Sequence, residues 1–145
     1  MKIERILYPT DFSTKTENAR EHAIYMAQSL KASLYLLHAI EPLDYEEMDE
    51  EIMDFYKGLE NQLEVKMEAE IKIFQDAGLE TQAEIIIGSR WKVINNYAKE
   101  NNIDLIIMGS HGVKTESGDV SVGTTSHKVM FSSPCPVLIV RHEGD

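Results

Sequence analysis

Five short apolar runs punctuate this chain, and their texture constrains the fold more than any other feature. They are residues 3–8 (IERILY), Ser33–Ile40 (SLYLLHAI), 84–87 (EIII), 104–108 (DLIIM) and Val137–Val140 (VLIV). Each is rich in Ile, Leu and Val and mostly continuous rather than alternating, as in strands buried on both faces of a parallel sheet. The segments between them carry a helical period. Ser13 or Thr14 can cap a first helix whose inner face is Ala19, Ala23, Ala27 and Leu30. From about 45 to 77, Ile52, Tyr56, Leu59, Leu63, Met67, Ile71 and Phe74 recur at spacings of three and four, and Gly78 supplies the stop. A third helix is predicted over 91–100 with Val93, Ile94, Tyr97 and Ala98 inward. A fourth is predicted over Thr124–Ser132, ended by Pro134, Cys135 and Pro136. The acidic stretch 41–54 reads as a mobile loop ahead of the long helix.

Strict alternation of strand and helix, with crossovers this long, requires parallel pairing and helices on both faces of one sheet. The expectation is a single α/β domain over 1–145, doubly wound, with no internal repeat or linker. Its 43% hydrophobic and 27% charged residues are those of an ordinary globular protein.

Charge narrows the choice of partner. Lys and Arg number 14 against 25 Asp and Glu, a formal net charge of −11. With the basic residues scattered, nucleic acid and anionic membrane are poor partners. A small anion is still compatible, because backbone N–H groups bind it locally. No apolar run approaches the roughly 20 residues that span a bilayer, and the N-terminus lacks the pattern of a signal peptide. Cys135 is the only cysteine, which excludes a disulfide framework and fits a reducing compartment, hence a cytoplasmic location.

In an open doubly wound sheet, ligands bind beyond the carboxyl ends of the strands, where the strand order reverses. Two loops there are informative. The first run ends in Pro9, Thr10, Asp11, Phe12 and Ser13. The fourth ends in Gly109, Ser110, His111 and Gly112, followed by a ten-residue stretch, 113–122, and then Gly123, Thr124 and Thr125 opening a helix. Glycines let backbone approach an anion, and the helix start adds N–H and hydroxyl donors; the same glycines can equally be turn-formers. The spacing matches neither the dinucleotide fingerprint nor the nucleoside-triphosphatase loop. Asp11 can accept from a base or ribose, or cap the first helix. His111 can donate to a phosphate or stand in solvent. His38, among apolar neighbours, reads as a core or strand-end histidine, and Trp91 as core or the rim of a pocket. His22, His127 and His142 have no metal-ligand spacing. No nucleophile elbow, Cys/His pair or receiver-type acid cluster is present.

At these two loops the sequence resembles the universal stress protein family. The resemblance covers essentially the whole chain, through ILYPTDFS, LLHAIEP, DLIIMGSHG and a closing CPVLIVRH. It implies a Rossmann-like, open five-stranded parallel sheet in the order 3-2-1-4-5 with four helices. The reversal then falls between strands one and four, where the two loops lie. The ATP-binding branch of the family carries Gly-x2-Gly-x9-Gly followed by Ser or Thr. Gly109, Gly112, Gly123 and Thr124 match it, with ten intervening residues in place of nine. Carried over, the resemblance places Asp11 at the adenosine, with the backbone of Pro9, Thr10 and Ala39 beside the base. Met108, Gly109, His111 and Gly112 would line the ribose and phosphates. Gly123, Thr124 and Thr125 would hold the phosphate tail with Mg2+, which is bound through the phosphates and Thr124. Glu116 and Asp119 against Lys114 oppose a triphosphate unless they turn outward, and one extra loop residue costs little closure entropy.

The resemblance therefore implies an ATP-binding stress or signalling protein that hydrolyses ATP slowly or not at all. It also implies a homodimer through the edge strand Val137–Val140. The alternatives are a non-nucleotide-binding dimeric interaction module of the same family and a slow ATPase or phosphotransferase, for which no catalytic base is evident.

Overall fold

The computed structural model describes residues 1–42, 49–110 and 124–141, with Thr124 described by its backbone alone. All five apolar runs become strands: β1 (Arg5–Pro9), β2 (Ser33–Ile40), β3 (Thr81–Ile87), β4 (Leu105–Gly109) and β5 (Val137–Val140). They alternate with α1 (Glu17–Leu30), α2 (Glu50–Asp76), α3 (Arg90–Glu100) and α4 (Thr124–Ser132). Every pairing is parallel, in the order β3-β2-β1-β4-β5. This is the expected doubly wound α/β sheet with helices on both faces. No helix among the described residues is long and apolar enough to cross a membrane.

Two cores sandwich the sheet. On one face α1 and α2 cover Ile6, Tyr8, Leu34 and Leu36 with Ala19, Ala23, Ala27, Met67 and Phe74. On the other, Ile94, Tyr97 and Ala98 of α3 and Val129 of α4 cover Leu7, Leu37, Ile106 and Met108. Ile6, Leu7 and Tyr8 of β1 are fully buried, as continuous apolar runs require at the centre of a parallel sheet. All seven residues of the α2 stripe are at least partly buried, and Gly78 ends the segment with φ +82, a left-handed conformation that favours glycine.

The bounds of β3 and β1 differ from those of their apolar runs. Among the described residues β3 pairs only with β2, and Gln82 and Glu84 on it are exposed. It starts at Thr81, earlier than its apolar run, because alternation suffices for an edge strand with one covered face. β1 starts later than the run at 3–8. The N–H groups of Glu4 and Arg5 donate to Asp104 Oδ2 at 2.9 and 3.0 Å, so a carboxylate occupies the mouth of the sheet there.

Three helix starts and ends also depart from expectation. Leu30, the last residue of α1, is 42% exposed at the rim. Of the stretch expected as an acidic loop, 43–48 lies outside the described residues, whereas α2 already begins at Glu50. Asp49 Oδ1 accepts from Ile52 N at 2.8 Å, and Glu50 and Glu51 fill the first turn, a favourable arrangement at a helix N-terminus. α1 begins at Glu17, after a 3-10 turn at Thr14–Thr16, and neither Ser13 nor Thr16 makes a side-chain cap.

Candidate functional site

The order reversal decides where an opening can form. The chain leaving β1 turns to the α1 face, and the chain leaving β4 leads to α4 on the opposite face. The two exits diverge and leave a crevice above the carboxyl ends of the strands. A cleft occupies that position, and its empty space, counted out to the open mouth, is about 540 Å³. Its sides include Leu37, Ala39, Ile94 and Met108, with Pro9, Thr10 and Asp11 along one rim and Gly109, Thr125 and Ser126 along another.

The β1 rim is closely wired. Thr10 N donates to Leu37 O at 2.9 Å, holding the turn to β2. Phe12 N donates to Thr10 Oγ1 at 3.0 Å, and Ser13 N donates to Asp11 Oδ1 at 2.9 Å. These bonds hold Phe12 at φ 64, a left-handed conformation that is uncommon for a bulky residue. Asp11 thus fixes the turn ahead of the helix, a role distinct from the ligand contact and the helix cap that the sequence offered for it. A carboxylate offers about four lone-pair positions, so holding this turn is compatible with receiving a ligand hydrogen bond.

His38 is part of the same construction. Its Nδ1 lies 2.7 Å from Thr10 O, and its ring is 4.6 Å from that of Phe12. A carbonyl can only accept, so Nδ1 carries the proton and the neutral ring leaves Nε2 as its acceptor. Burial pushes its pKa below the ordinary histidine value, against the opposing effect of the Thr10 carbonyl. The strand-end reading of His38 is correct, and its partner is the cleft rim.

Across the cleft, Ser126 Oγ donates to Gly109 O at 2.8 Å and clamps the first turn of α4 to the end of β4. A Cβ at Gly109 would meet Lys15 O, Thr16 Cγ2 and Ala19 Cβ at 3.7–4.0 Å, ordinary contact distances. The fold alone therefore does not demand glycine there. Arg90, the first residue of α3, completes the mouth, with its Nε 4.0 Å from Glu41 Oε2. Asp11 and Arg90 are the formally charged members of the described lining.

Of the residues singled out in the sequence, the cleft brings together Pro9, Thr10, Asp11, Ala39, Met108, Gly109 and Thr125. Thr124 opens α4. His111, Gly112 and Gly123 lie outside the described residues. Thr16, Leu37, Arg90, Ile94 and Ser126 were missed. Arg90 had a legible signal, since GSRWK places two cations at a helix start. For Mg2+, the described lining provides the Asp11 carboxylate and the hydroxyls of Thr10 and Thr125, and no cluster of three or more His, Cys, Asp or Glu among the described residues forms a cage. That donor set suits an ion brought in on phosphates, the usual mode for Mg2+.

Fold and cleft together define an α/β domain of the doubly wound class with its ligand crevice at the switch point. The chain belongs to the universal stress protein family, whose family model matches residues 2–141. It is 32% identical to universal stress protein MJ0577 of Methanocaldococcus jannaschii, over 97% of this chain and 96% of that one. The solved MJ0577 structure superposes with a TM-score of 0.81 at 28% identity and full coverage of both chains. Universal stress protein YxiE of Bacillus subtilis is 30% identical over 96% of this chain and 99% of its own. Universal stress protein UspA from Lactobacillus plantarum has a TM-score of 0.81 at 25% identity, covering 97% and 99%. More distant structures share the fold. One universal stress protein was solved in complex with cAMP (TM-score 0.69, 19% identity), and one from Archaeoglobus fulgidus in complex with dAMP (0.65, 16%).

Proposed function

We propose that this protein binds an adenine nucleotide, ATP with Mg2+, in the cleft between the exits of β1 and β4, and acts as a cytoplasmic stress-response or signalling protein without efficient hydrolysis. The observation that carries the reading is the opposition of two unlike rims across an apolar floor. Leu37, Ala39, Ile94 and Met108 offer a flat ring an apolar surface, Asp11 offers a nucleoside an acceptor, and the start of α4 offers phosphates N–H donors. That relatives of the same fold were solved with cAMP and dAMP supports a nucleotide as the ligand class. Gly123, Thr124 and Thr125 would then hold the phosphate tail, with His111 and Gly112 beside it. Native mass spectrometry of protein purified without added nucleotide, followed by calorimetric titration with ATP, ADP and AMP with and without Mg2+, tests this. An adenine nucleotide mass and saturable binding are expected; no binding at millimolar ATP would overturn it.

The same reading includes a two-fold homodimer through Val137–Val140. β5 is an edge strand whose outer side has no partner strand among the described residues, and Met130 and Phe131 on the neighbouring α4 are 48% and 74% exposed. Edges of this kind are normally paired or protected. Light scattering at micromolar concentration should return the mass of two chains; a monomer would sink this part.

A further inference from the structure

Arg90 stands where the fold has least use for a cation. It opens α3, at the positive end of the helix dipole, with no acidic residue in that turn and Lys92 two positions on. Ser89 makes no side-chain cap that would offset this. The pairing with Glu41 is no compensation. At 4.0 Å, with the two side chains 53% and 42% exposed, water screens it. Neither the helix nor the ion pair accounts for arginine at this position, but the cleft it lines does.

Topology decides which part of a ligand it meets. α3 follows β3, whereas Gly109 and α4 belong to β4. β2 and β1 stand between the strand ends that lead to the two sides, and α3 packs on β2. The donors at the start of α4 follow β4, beyond β1 in the sheet. Arg90 shares its side with Leu37, Ala39 and Ile94, the apolar part that suits a ring.

We propose that Arg90 is a specificity-determining residue that leaves Glu41 and lays its guanidinium on the face of the bound base, reading the ring and not the phosphates. This rests on the nucleotide reading above. A planar guanidinium stacks on an aromatic ring, which a lysine ammonium does not reproduce. Glu41 is then a competitor for the same guanidinium, and its removal frees the clasp.

The test is calorimetric titration of adenosine, AMP and ATP into wild type, Arg90→Ala, Arg90→Lys and Glu41→Gln. Arg90→Ala should weaken all three ligands by a common factor, about three- to thirty-fold. Arg90→Lys should recover little of it, and Glu41→Gln should tighten all three. The melting temperature of ligand-free Arg90→Ala should not fall, because a cation has left a helix N-terminus. A loss that grows from adenosine to ATP would make Arg90 a phosphate contact and overturn the proposal, as would unchanged affinity for every ligand. Failure of wild type to bind any of the three would instead overturn the nucleotide reading itself, so the two failures are distinguishable.

Discussion

The β1 exit and the start of α3 line the same cleft and are built on opposite terms. At the β1 exit, four hydrogen bonds converge on Thr10, Asp11, Phe12 and Ser13, two of them reaching to β2 at Leu37 and His38. They hold a bulky residue in a left-handed conformation. At the α3 start, a cap residue leaves its side chain unused, two cations stand at the positive end of a helix, and the ion pair is at its distance limit. The first region stabilises one geometry. The second leaves a long charged side chain free to choose a partner. A binding site uses both, a fixed rim for register and an adjustable one for closure.

The most disruptive way to break the contrast is at His38. His38→Ala removes the ring packed on Phe12 and orphans the Thr10 carbonyl, and should cost about 2 kcal/mol in urea unfolding. His38→Asn, whose amide can replace the Nδ1 donor, should lose clearly less. The ring also makes the fixed rim sensitive to acid. Its folded-state pKa lies below the unfolded value of 6.5, chiefly through burial, with Arg90 and Lys66 lowering it further and Asp11 raising it. The stability it contributes is therefore complete above pH 6.5 and is lost as pH falls through the lower folded value. Urea midpoints measured across pH 7.5 to 4.5 should fall less steeply in His38→Asn than in wild type; identical pH profiles would remove His38 from this role.

Asp11 sharpens the comparison at intermediate size. Asp11→Ala strips the acceptor from Ser13 N and should cost about 1 kcal/mol of stability. Asp11→Asn retains an oxygen for the turn and should cost no more than about 0.5 kcal/mol. If Asp11 also meets the nucleoside as proposed, Asp11→Asn should still weaken ATP binding measurably. Equal ATP affinity with a lowered melting temperature in Asp11→Ala would leave Asp11 as a turn residue alone.

The smallest effect has the opposite sign. Lys92 shares the adverse helix position with Arg90 but is absent from the cleft lining, its ammonium standing 5.6 Å from the Trp91 ring centroid. Lys92→Glu should raise stability by about 0.5 kcal/mol through the helix dipole and leave nucleotide affinity unchanged. A loss of affinity would mean that positive field, and not the Arg90 contact, is what this side supplies.

Periodicity carried most of the architecture. The α2 stripe was readable from neighbours three or four residues away, β2 and β5 from continuous apolar runs, the end of α4 from the prolines after it, and the Gly78 stop from one local conformation. The edge status of β3 depends on strand order, which the resemblance supplied and which no run of residues encodes. The site was legible in part for the same reason. Pro9, Thr10, Asp11, Gly109 and Thr125 end strands or begin helices, positions that spacing can find. The duty of Asp11 toward Ser13 is a local turn two residues long, whereas the bond from His38 to Thr10 across 28 positions follows from how two strand ends meet. Nothing periodic announces them.

The carboxylate of Asp104, clasping the N–H groups of Glu4 and Arg5 from 100 and 99 positions away, also carries a message about time. Strand β1 meets β2 at Ile6 and Leu34, but meets β4 at Ile6 and Leu105. Closing the longer loop costs about 1 kcal/mol more in chain entropy, so the junction of β1 with β4 is the costliest pairing to close and the expected last step in joining β1, β2 and β3 to β4 and β5. The cleft straddles that seam. A ligand held by both rims would act as a staple across the β1–β4 junction, slowing the detachment of β4 and β5 from the rest. Amide exchange would register this as ligand-dependent protection concentrated in Leu105–Gly109 and Val137–Val140, far along the chain from the turn at Asp11.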